Sequence, residues 1–303
     1  MSWHTLIEPG FLSNGPVRTA LLLGLLTAIV SALVGVFTVA RSQSFAGHAL
    51  TDVATTGGAG AFYLGTTALG GYVGGGVIGA AAMELIGVER VRGRDLATGI
   101  VLGAATGMSA LFLYLDSTQS ATTGVTQQVL FGSIFEVDRS VIPPAAALSA
   151  AVLVVLLLIG RPLILSTISP DLASARGVPV RLISTLFLLA LAVSVGLSSI
   201  VVGTILSTAL LIGPAAAALH LARSLRGALV LAALLGTLAT WIGILFAYDS
   251  AYWDPASQGL PVSFFIVALV CIFYVAARVL SHLRRGGDTR TAPDHHPEPE
   301  LVH

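Results

Sequence analysis

The sequence contains no lysine, so all 15 of its basic residues are arginine. Without lysine, the chain has neither a phosphate-binding loop of the Gly-x-x-x-x-Gly-Lys-Ser/Thr type nor a side chain for Schiff-base chemistry. It also lacks the His-Glu-x-x-His and Gly-x-Ser-x-Gly motifs that would indicate a membrane hydrolase. We therefore expect a chain that is not an enzyme and that binds no resident cofactor.

Cysteine and charged residues are scarce as well. The one cysteine, Cys271, excludes an intramolecular disulfide and a Cys-x-x-Cys metal site. Only 10% of the residues are charged, whereas 55% are hydrophobic, and the mean hydropathy is +0.91. This composition is typical of a polytopic membrane protein. We predict an all-α chain that crosses the plasma membrane several times, contacts lipid and binds no nucleic acid.

Stretches of about 20 apolar residues predict the helices that span the membrane. The candidates lie near residues 17–40, 47–68, 70–87, 96–115, 141–160, 180–200, 201–222, 227–247 and 260–281. They give nine spans if the turn near Val201 is tight, and eight if it is not. The transmembrane domain is predicted to cover 17–283, after an amino-terminal segment at 1–16. Residues 284–303 are polar and proline-rich, and we expect a disordered cytoplasmic tail there.

The distribution of arginine predicts the orientation, because short cytoplasmic loops retain arginine and lysine. Arginine-bearing stretches around residues 41, 90–94, 161–181, 223–226 and 278–285 alternate with stretches around 116, 136–138 and 249–254 that carry aspartate and glutamate. The arginine-bearing side is therefore predicted to be cytoplasmic. Nine spans place the carboxyl terminus inside and the amino terminus outside, whereas eight spans place both termini inside.

One pair of ionisable residues lies inside the second predicted span. His48 and Asp52 are four residues apart, so on a helix they share one face. An ionisable group at bilayer depth costs roughly 2.5 to 3.5 kcal/mol, and such groups usually line a polar path or bind a substrate. Imidazole and carboxylate together suit a divalent metal ion. The alternative is a hydrogen-bonded His–Asp pair that joins two helices.

The other notable residues in the spans have mainly structural interpretations. His220 is predicted to be a core or interfacial histidine, with a transient exit-side metal ligand as the alternative. Glu84 lies near arginines and is predicted to form an ion pair. Gly71, Gly75 and Gly79 recur every four residues, a pattern that favours close packing of two helices in lipid.

A short segment between the fifth and sixth spans is predicted to form an exposed cytoplasmic helix. Pro170 and Asp171 indicate a helix start, and Gly177 indicates a helix stop. A helix of this length is marginal in water on its own, so we expect a partner subunit to hold it. The alternative is a surface turn between two spans.

Several motifs follow one another in a characteristic order along the chain. They are Arg41 followed by Phe45-x-Gly47-x-Ala49-Leu50, then Leu130-Phe-Gly-Ser133, Asp171-Leu-Ala-Ser-Ala-Arg-Gly177, the stretch from Val201 to Ala216, and Leu260-Pro-Val-Ser-Phe-Phe-Ile-Val267. With these motifs in this order, the chain from about Leu21 to Leu280 resembles the membrane permeases of ABC importers for zinc, manganese and iron.

The resemblance implies a fold similar to that of type II ABC importer permeases, with ATP hydrolysed by a partner subunit. It also implies an extracytoplasmic metal-binding protein and a second permease copy as partners. His48 and Asp52 would then be transient ligands of the transported ion, and Asp171, Ala175 and Gly177 would couple the chain to the ATPase. Members of this family usually carry aspartate where His48 stands and histidine where Asp52 stands. This exchange leaves the choice of metal open.

Two other kinds of transporter are alternatives. A permease for cobalamin or siderophore chelates would need a wide, uncharged path, which His48 and Asp52 disfavour. A secondary transporter or channel would use the pair as an ion or proton relay and would need no ATPase. An adjacent gene for an ATP-binding subunit would distinguish these interpretations.

Overall fold

The computed structural model describes residues 11–86, 91–119, 124–132, 134–251 and 259–288. Within these ranges the regular structure is helical, and no β-strand occurs. The α-helices are α1 (Gly15–Ala40), α2 (Ser44–Tyr63), α3 (Ala68–Ile86), α4 (Val91–Gln119), α5 (Val125–Phe131), α6 (Ile142–Ile168), α7 (Pro170–Ala175), α8 (Val180–Val202), α9 (Thr204–Leu221), α10 (Leu225–Ser250) and α11 (Val262–Asp288). Short 3-10 helices at Phe11–Ser13 and Arg139–Val141 precede α1 and α6.

Each predicted span coincides with one helix of the described chain, which confirms the all-α membrane fold. Seven helices of the described residues are long and apolar enough to cross a membrane, namely α1, α3, α4, α6, α8, α10 and α11. Helix α9 contains a shorter apolar stretch, Ser207–Leu221, and α2 is interrupted by polar residues. Among the described residues, the count of spans is eight when α9 is added to the seven, and nine when α2 is added as well.

Parts of the predicted loops and tail lie outside the described residues. Helix α11 continues to Asp288, so residues 284–288 of the predicted tail belong to it. Residues 289–303 are not among those described, nor are residues 87–90, 252–258 and Ser133 of the predicted loops and motifs.

Helices α2 and α3 approach so closely that glycine is required on both. A Cβ atom on Gly75 would lie 2.8 Å from the carbonyl oxygen of Val53, and one on Gly79 would lie 2.7 Å from a methyl group of Val53. A Cβ atom on Gly71 would overlap the carbonyl oxygen of Gly57. The predicted stripe of small residues is thus confirmed as the contact of α3 with α2. It fixes the position of the helix that carries the candidate metal ligands.

Gly203 alone separates α8 from α9, and it provides the tight turn on which the count of nine spans depends. Its φ of +81° and ψ of 167° lie in a region that essentially only glycine adopts. A Cβ atom on Gly203 would overlap the backbone of Leu130 and Gly132 at the end of α5. Gly132 has nearly the same backbone conformation, with φ of +76° and ψ of 165°. Two glycines therefore meet where α5 and α8 end.

Arginine side chains gather at the end of the bundle that carries α7. Arg181 forms an ion pair with Glu84, with 3.3 Å between nitrogen and oxygen. Glu84 thus forms an ion pair, as predicted, but its partner is 97 residues along the chain rather than one of the nearby arginines. Arg181 is 74% exposed, so the pair contributes little to stability. Arg41, at the end of α1, reaches hydroxyl groups on α6 and α8 at the same end. This is the end that the distribution of arginine predicts to be cytoplasmic.

Candidate functional site

His48 and Asp52 lie on the second and third turns of α2, on a face that the rest of the chain leaves partly open. His48 is exposed and Asp52 is half-buried. Helical spacing places the two side chains on one side of α2. No hydrogen bond or ion pair joins them in the part of the chain that the structure describes. Within the described residues, the two side chains therefore do not form the hydrogen-bonded pair of the alternative interpretation.

His48 is anchored to α9 rather than to Asp52. Its Nδ1 atom lies 3.3 Å from Oγ1 of Thr208. Oγ1 of Thr208 in turn lies 3.3 Å from Oγ1 of Thr51. Thr51 is fully buried, and its hydroxyl donates to the carbonyl oxygen of Gly47, 3.0 Å away. A chain of polar contacts thus runs from the imidazole to α9 and back to the backbone of α2.

Helix α9 is fixed against α1 and α2 near this point. A Cβ atom on Gly35 of α1 would overlap the carbonyl oxygen of Leu211. A Cβ atom on Gly47 of α2 would lie 3.0 Å from a methyl group of the same leucine. Leu211 is 1% exposed and lies one turn after Thr208. The backbone that carries Thr208 is therefore held at a defined distance from α2.

On the other side of Asp52, α2 is joined to α4. The hydroxyl of Thr56 lies 2.8 Å from the carbonyl oxygen of Ala105 and 2.7 Å from the hydroxyl of Ser109. Thr56 follows Asp52 by one helical turn, and its hydroxyl also lies 3.2 Å from the Asp52 carbonyl oxygen. The candidate pair is thus placed between a contact of α2 with α9 and a contact of α2 with α4.

One chain offers a divalent cation a partial set of ligands, an imidazole nitrogen and a carboxylate. Within the described residues, no three or more His, Cys, Asp or Glu side chains come together as a metal site. His220 does not join the pair, because it lies about 18 Å along α9 from Thr208 at 1.5 Å per residue. It is exposed, and its ring centre is 5.8 Å from that of Tyr274. This position favours the interfacial interpretation of His220.

The short helix predicted after α6 is present as α7. The hydroxyl of Ser169 accepts a hydrogen bond of 3.3 Å from a backbone amide of the first turn. Asp171 lies in that turn, where a negative charge is favourable, and Gly177, with φ of +76°, follows the end of the helix. Ala173 is fully buried, whereas Ala175 is exposed. Helix α7 therefore rests on the bundle through one small side chain and presents most of its others outward.

A cleft of about 240 Å³ opens at the end of the bundle opposite α7. Its lining includes Tyr72 of α3, Gln128 of α5, and Glu136 and Asp138 of the loop before α6. Gln128 donates a hydrogen bond of 3.2 Å to the Glu136 carboxylate. The backbone amide of Ser140 donates one of 2.7 Å to Asp138, and this hydrogen bond lowers the pKa of Asp138. The end predicted to be external thus presents carboxylates at the mouth of a cleft.

Residues 15–279 match the model of a protein family described as the ABC 3 transport family. The chain is a member of that family. The match runs from the start of α1 into the last turns of α11, and it confirms the resemblance indicated by the order of the motifs. This ABC 3 protein is accordingly a transport protein that passes several times through the plasma membrane.

Several relatives of this ABC 3 protein are named for metal ions. It is 31% identical over 289 residues to the manganese transport system membrane protein MntC of Halalkalibacterium halodurans, with 94% of this chain and 97% of the relative covered. It is 28% identical over 278 residues to the chelated iron transport system membrane protein YfeD of Yersinia pestis, with 91% and 89% covered.

The fold of this ABC 3 protein is similar to one that has been solved. The structure of PsaBC from Streptococcus pneumoniae in complex with Fab contains a chain that matches it with a TM-score of 0.78 and 24% sequence identity. The match covers 93% of this chain and 98% of that chain. At this level of identity, the likeness establishes the fold.

Two threonines at the candidate site, Thr51 and Thr208, carry little signal in the sequence. Hydroxyl residues in membrane helices commonly bond to their own backbone, as Thr38 does to the carbonyl oxygen of Val34. The available hint is that Ser207 and Thr208 stand together in an otherwise apolar stretch. That α9 meets α2 at this point appears only in the folded chain, because His48 and Thr208 are 160 residues apart.

Proposed function

We propose that this chain is the permease subunit of an ATP-driven importer whose substrate is a divalent transition-metal ion, namely manganese, zinc or ferrous iron. The observation that carries the proposal is the His48 and Asp52 pair on an open face of α2 in a member of a transport family. Imidazole with carboxylate suits these ions, whereas an all-oxygen set would favour magnesium or calcium. The names of the relatives, which mention manganese and chelated iron, support the same class of substrate.

A second copy of the chain would complete the site. Such an ion usually takes four or more ligands, and one chain supplies the His48 imidazole and the Asp52 carboxylate. Two copies with their α2 helices facing each other would supply two of each. The exposure of His48 supports this arrangement, because ionisable groups in membrane segments almost always face a protein interior or an aqueous cavity rather than lipid.

The ion would cross the membrane by alternating access. An extracytoplasmic binding protein would release it at the outer end, where Glu136 and Asp138 stand at the mouth of the cleft. His48 and Asp52 would bind it briefly before it leaves to the cytoplasm. The affinity of this site should be modest, because an ion that is held too tightly cannot move on.

The partner that hydrolyses ATP would act on α7. Asp171, Ala175 and Gly177 are exposed there and would contact the ATP-binding subunit, while the buried Ala173 transmits the displacement to the bundle. A folded helix suits this role because a change at the ATPase would move it as a unit. Its short length also supports a partner, since a helix of six residues gains little stability from its own hydrogen bonds.

The test is uptake of radioactive manganese and zinc by cells that lack their own importers. The cells express this chain with its ATP-binding subunit, with and without His48→Ala, and co-purification of the ATPase serves as the control for assembly. We expect uptake that requires the ATPase and that His48→Ala abolishes while assembly is retained. Uptake without the ATPase would instead indicate a secondary transporter, and absence of metal uptake would favour a permease for larger chelates.

A further inference from the structure

The distances between the hydroxyl groups beside His48 favour one direction for each hydrogen bond, because the contact of Thr51 with the Gly47 carbonyl oxygen is the shortest that its hydroxyl makes. Thr51 has one hydroxyl hydrogen, and it donates this hydrogen to the carbonyl oxygen of Gly47 at 3.0 Å. Toward Thr208, 3.3 Å away, the Thr51 oxygen therefore accepts, and Thr208 donates its own hydrogen. Thr208 is then left with lone pairs to offer Nδ1 of His48, at 3.3 Å. In this arrangement Nδ1 carries the hydrogen between these two atoms.

We propose that Thr208 is a positioning residue that fixes the tautomer of His48 and leaves Nε2 as the nitrogen that binds the transported ion. The inference rests on the proposed function, in which His48 is a ligand of that ion. In a neutral imidazole one nitrogen carries the hydrogen and the other carries the lone pair. With Nδ1–H donated to Thr208, the lone pair lies on Nε2. Partners of this kind orient a ligating histidine and raise its basicity.

The position of Thr208 does not depend on the ion. Leu211 holds α9 against Gly35 of α1 and Gly47 of α2, so the accepting oxygen is in place before a substrate arrives. The ring of His48 loses part of its rotational freedom on folding rather than on binding. The ion then meets a ligand that is already oriented, which reduces the entropic cost of binding.

The test compares two substitutions at Thr208 with a matched control in α10. Thr208→Val keeps the shape of the side chain and removes the hydroxyl, whereas Thr208→Ser keeps the hydroxyl. Thr240→Val removes a fully buried hydroxyl whose hydrogen bond goes to the carbonyl oxygen of Gly236 in its own helix. Uptake of manganese and zinc is measured over a range of metal concentrations in cells that express each variant with the ATPase.

We expect Thr208→Val to raise the metal concentration for half-maximal uptake about 10-fold or more, the usual effect of losing such a partner. The maximal rate and co-purification of the ATPase should stay near those of the parent protein. Thr208→Ser and Thr240→Val should retain the parent half-saturation. A general defect in folding would instead lower the maximal rate and the yield.

Thr51 provides a second and sharper test, because the described structure contains no hydrogen bond between it and His48. In Thr51→Val the hydrogen of Thr208 loses its acceptor and becomes free to be donated to Nδ1. The ring hydrogen then shifts to Nε2, and the lone pair for the ion is lost. We expect half-saturation to rise as in Thr208→Val, and Thr51→Ser to behave as the parent protein. Parent half-saturation in Thr51→Val would overturn the assignment of the tautomer.

Two further results would overturn the role of Thr208. One is parent half-saturation in Thr208→Val, and the other is an equal defect in Thr208→Ser, which would show that packing rather than the hydroxyl matters. His48→Ala separates these results from failure of the proposed function. If His48→Ala abolishes uptake while Thr208→Val is unaffected, only the positioning role is lost. Normal uptake in His48→Ala would contradict the proposal that His48 is a ligand of the transported ion.

Discussion

The guanidinium group of Arg41 donates a hydrogen bond to the hydroxyl of Ser184, 3.0 Å away, and so ties the end of α1 to the start of α8. Its other terminal nitrogen donates to Ser166 of α6, also at 3.0 Å. The guanidinium carbon lies 5.6 Å from the centre of the Phe187 ring. Because α7 stands between α6 and α8, Arg41 sets the spacing of the two helices that flank the proposed ATPase contact.

Arg41→Lys should weaken this link. The planar fork of arginine reaches two acceptors at once, whereas a lysine ammonium group is a compact charge on a flexible stem. Loss of one hydrogen bond from a charged group costs about 1.5 to 3 kcal/mol. We expect a lower melting temperature and a lower ratio of metal transported to ATP hydrolysed. Arg278→Lys, at an exposed position on α11, is the control, and equal behaviour of the two variants would contradict the role of Arg41.

Two alanines of α7 allow its packing against the bundle and its proposed contact with the ATPase to be tested separately. Ala173→Leu places extra volume at a fully buried position, and overpacking of this kind typically costs about 1 to 3 kcal/mol. It should lower both the melting temperature and co-purification of the ATPase. Ala175→Arg changes an exposed position and should lower co-purification alone. Full co-purification in Ala175→Arg would indicate that α7 is a passive connection.

Gly203→Ala should destabilise the junction between α8 and α9. The backbone conformation of Gly203 costs a residue with a Cβ atom about 1 to 3 kcal/mol, and the added atom would also collide with the end of α5. Gly74→Ala is the control, since no atom lies within 4 Å of a Cβ atom built there. We expect thermal unfolding in detergent to show a clear loss for Gly203→Ala and none for Gly74→Ala. A melting temperature unchanged in both would mean that the junction relaxes at little cost.

The double variant His48→Asp/Asp52→His tests the exchanged order of the ligands. It gives the order that the resemblance to metal-ion permeases implies, and it keeps one imidazole and one carboxylate on the same face of α2. We expect uptake to persist and the preference between manganese and zinc to shift, as measured by competition between the two ions. Loss of uptake as complete as in His48→Ala would show that the depth of each ligand matters as much as its identity.

Much of the fold could be predicted from the sequence, because the bilayer imposes simple demands on it. A span needs about 20 apolar residues, and this rule located the helices. The spacing of Gly71, Gly75 and Gly79 indicated a close helix contact, because a stripe of small residues lets the backbones of two membrane helices approach each other. The start and stop of α7 followed from Pro170 and Gly177, whose backbone preferences are local.

The partners across the bundle could not be predicted in the same way. Which helix lies beside α2 depends on the packing of the whole chain. A uniformly hydrophobic span does not indicate which of its faces packs against which neighbour. His48 and Asp52 were identified because charge is rare in a membrane segment, whereas Thr208 was not, because threonine is tolerated there for local reasons. The ion pair of Glu84 was expected, but its partner on α8 was fixed only by the tertiary structure.

The close glycine contact between α2 and α3 has a consequence for how the protein is made. Helix α2 leaves the ribosome before α3, and its charged and hydroxyl residues make it a poor candidate to enter lipid unaided. Helix α3 is apolar enough to enter, and the glycines let the two backbones come close together. We therefore expect α2 to wait at the translocon and to pass into the bilayer as a hairpin with α3. The residues proposed to carry the ion would thus also set the order of membrane insertion.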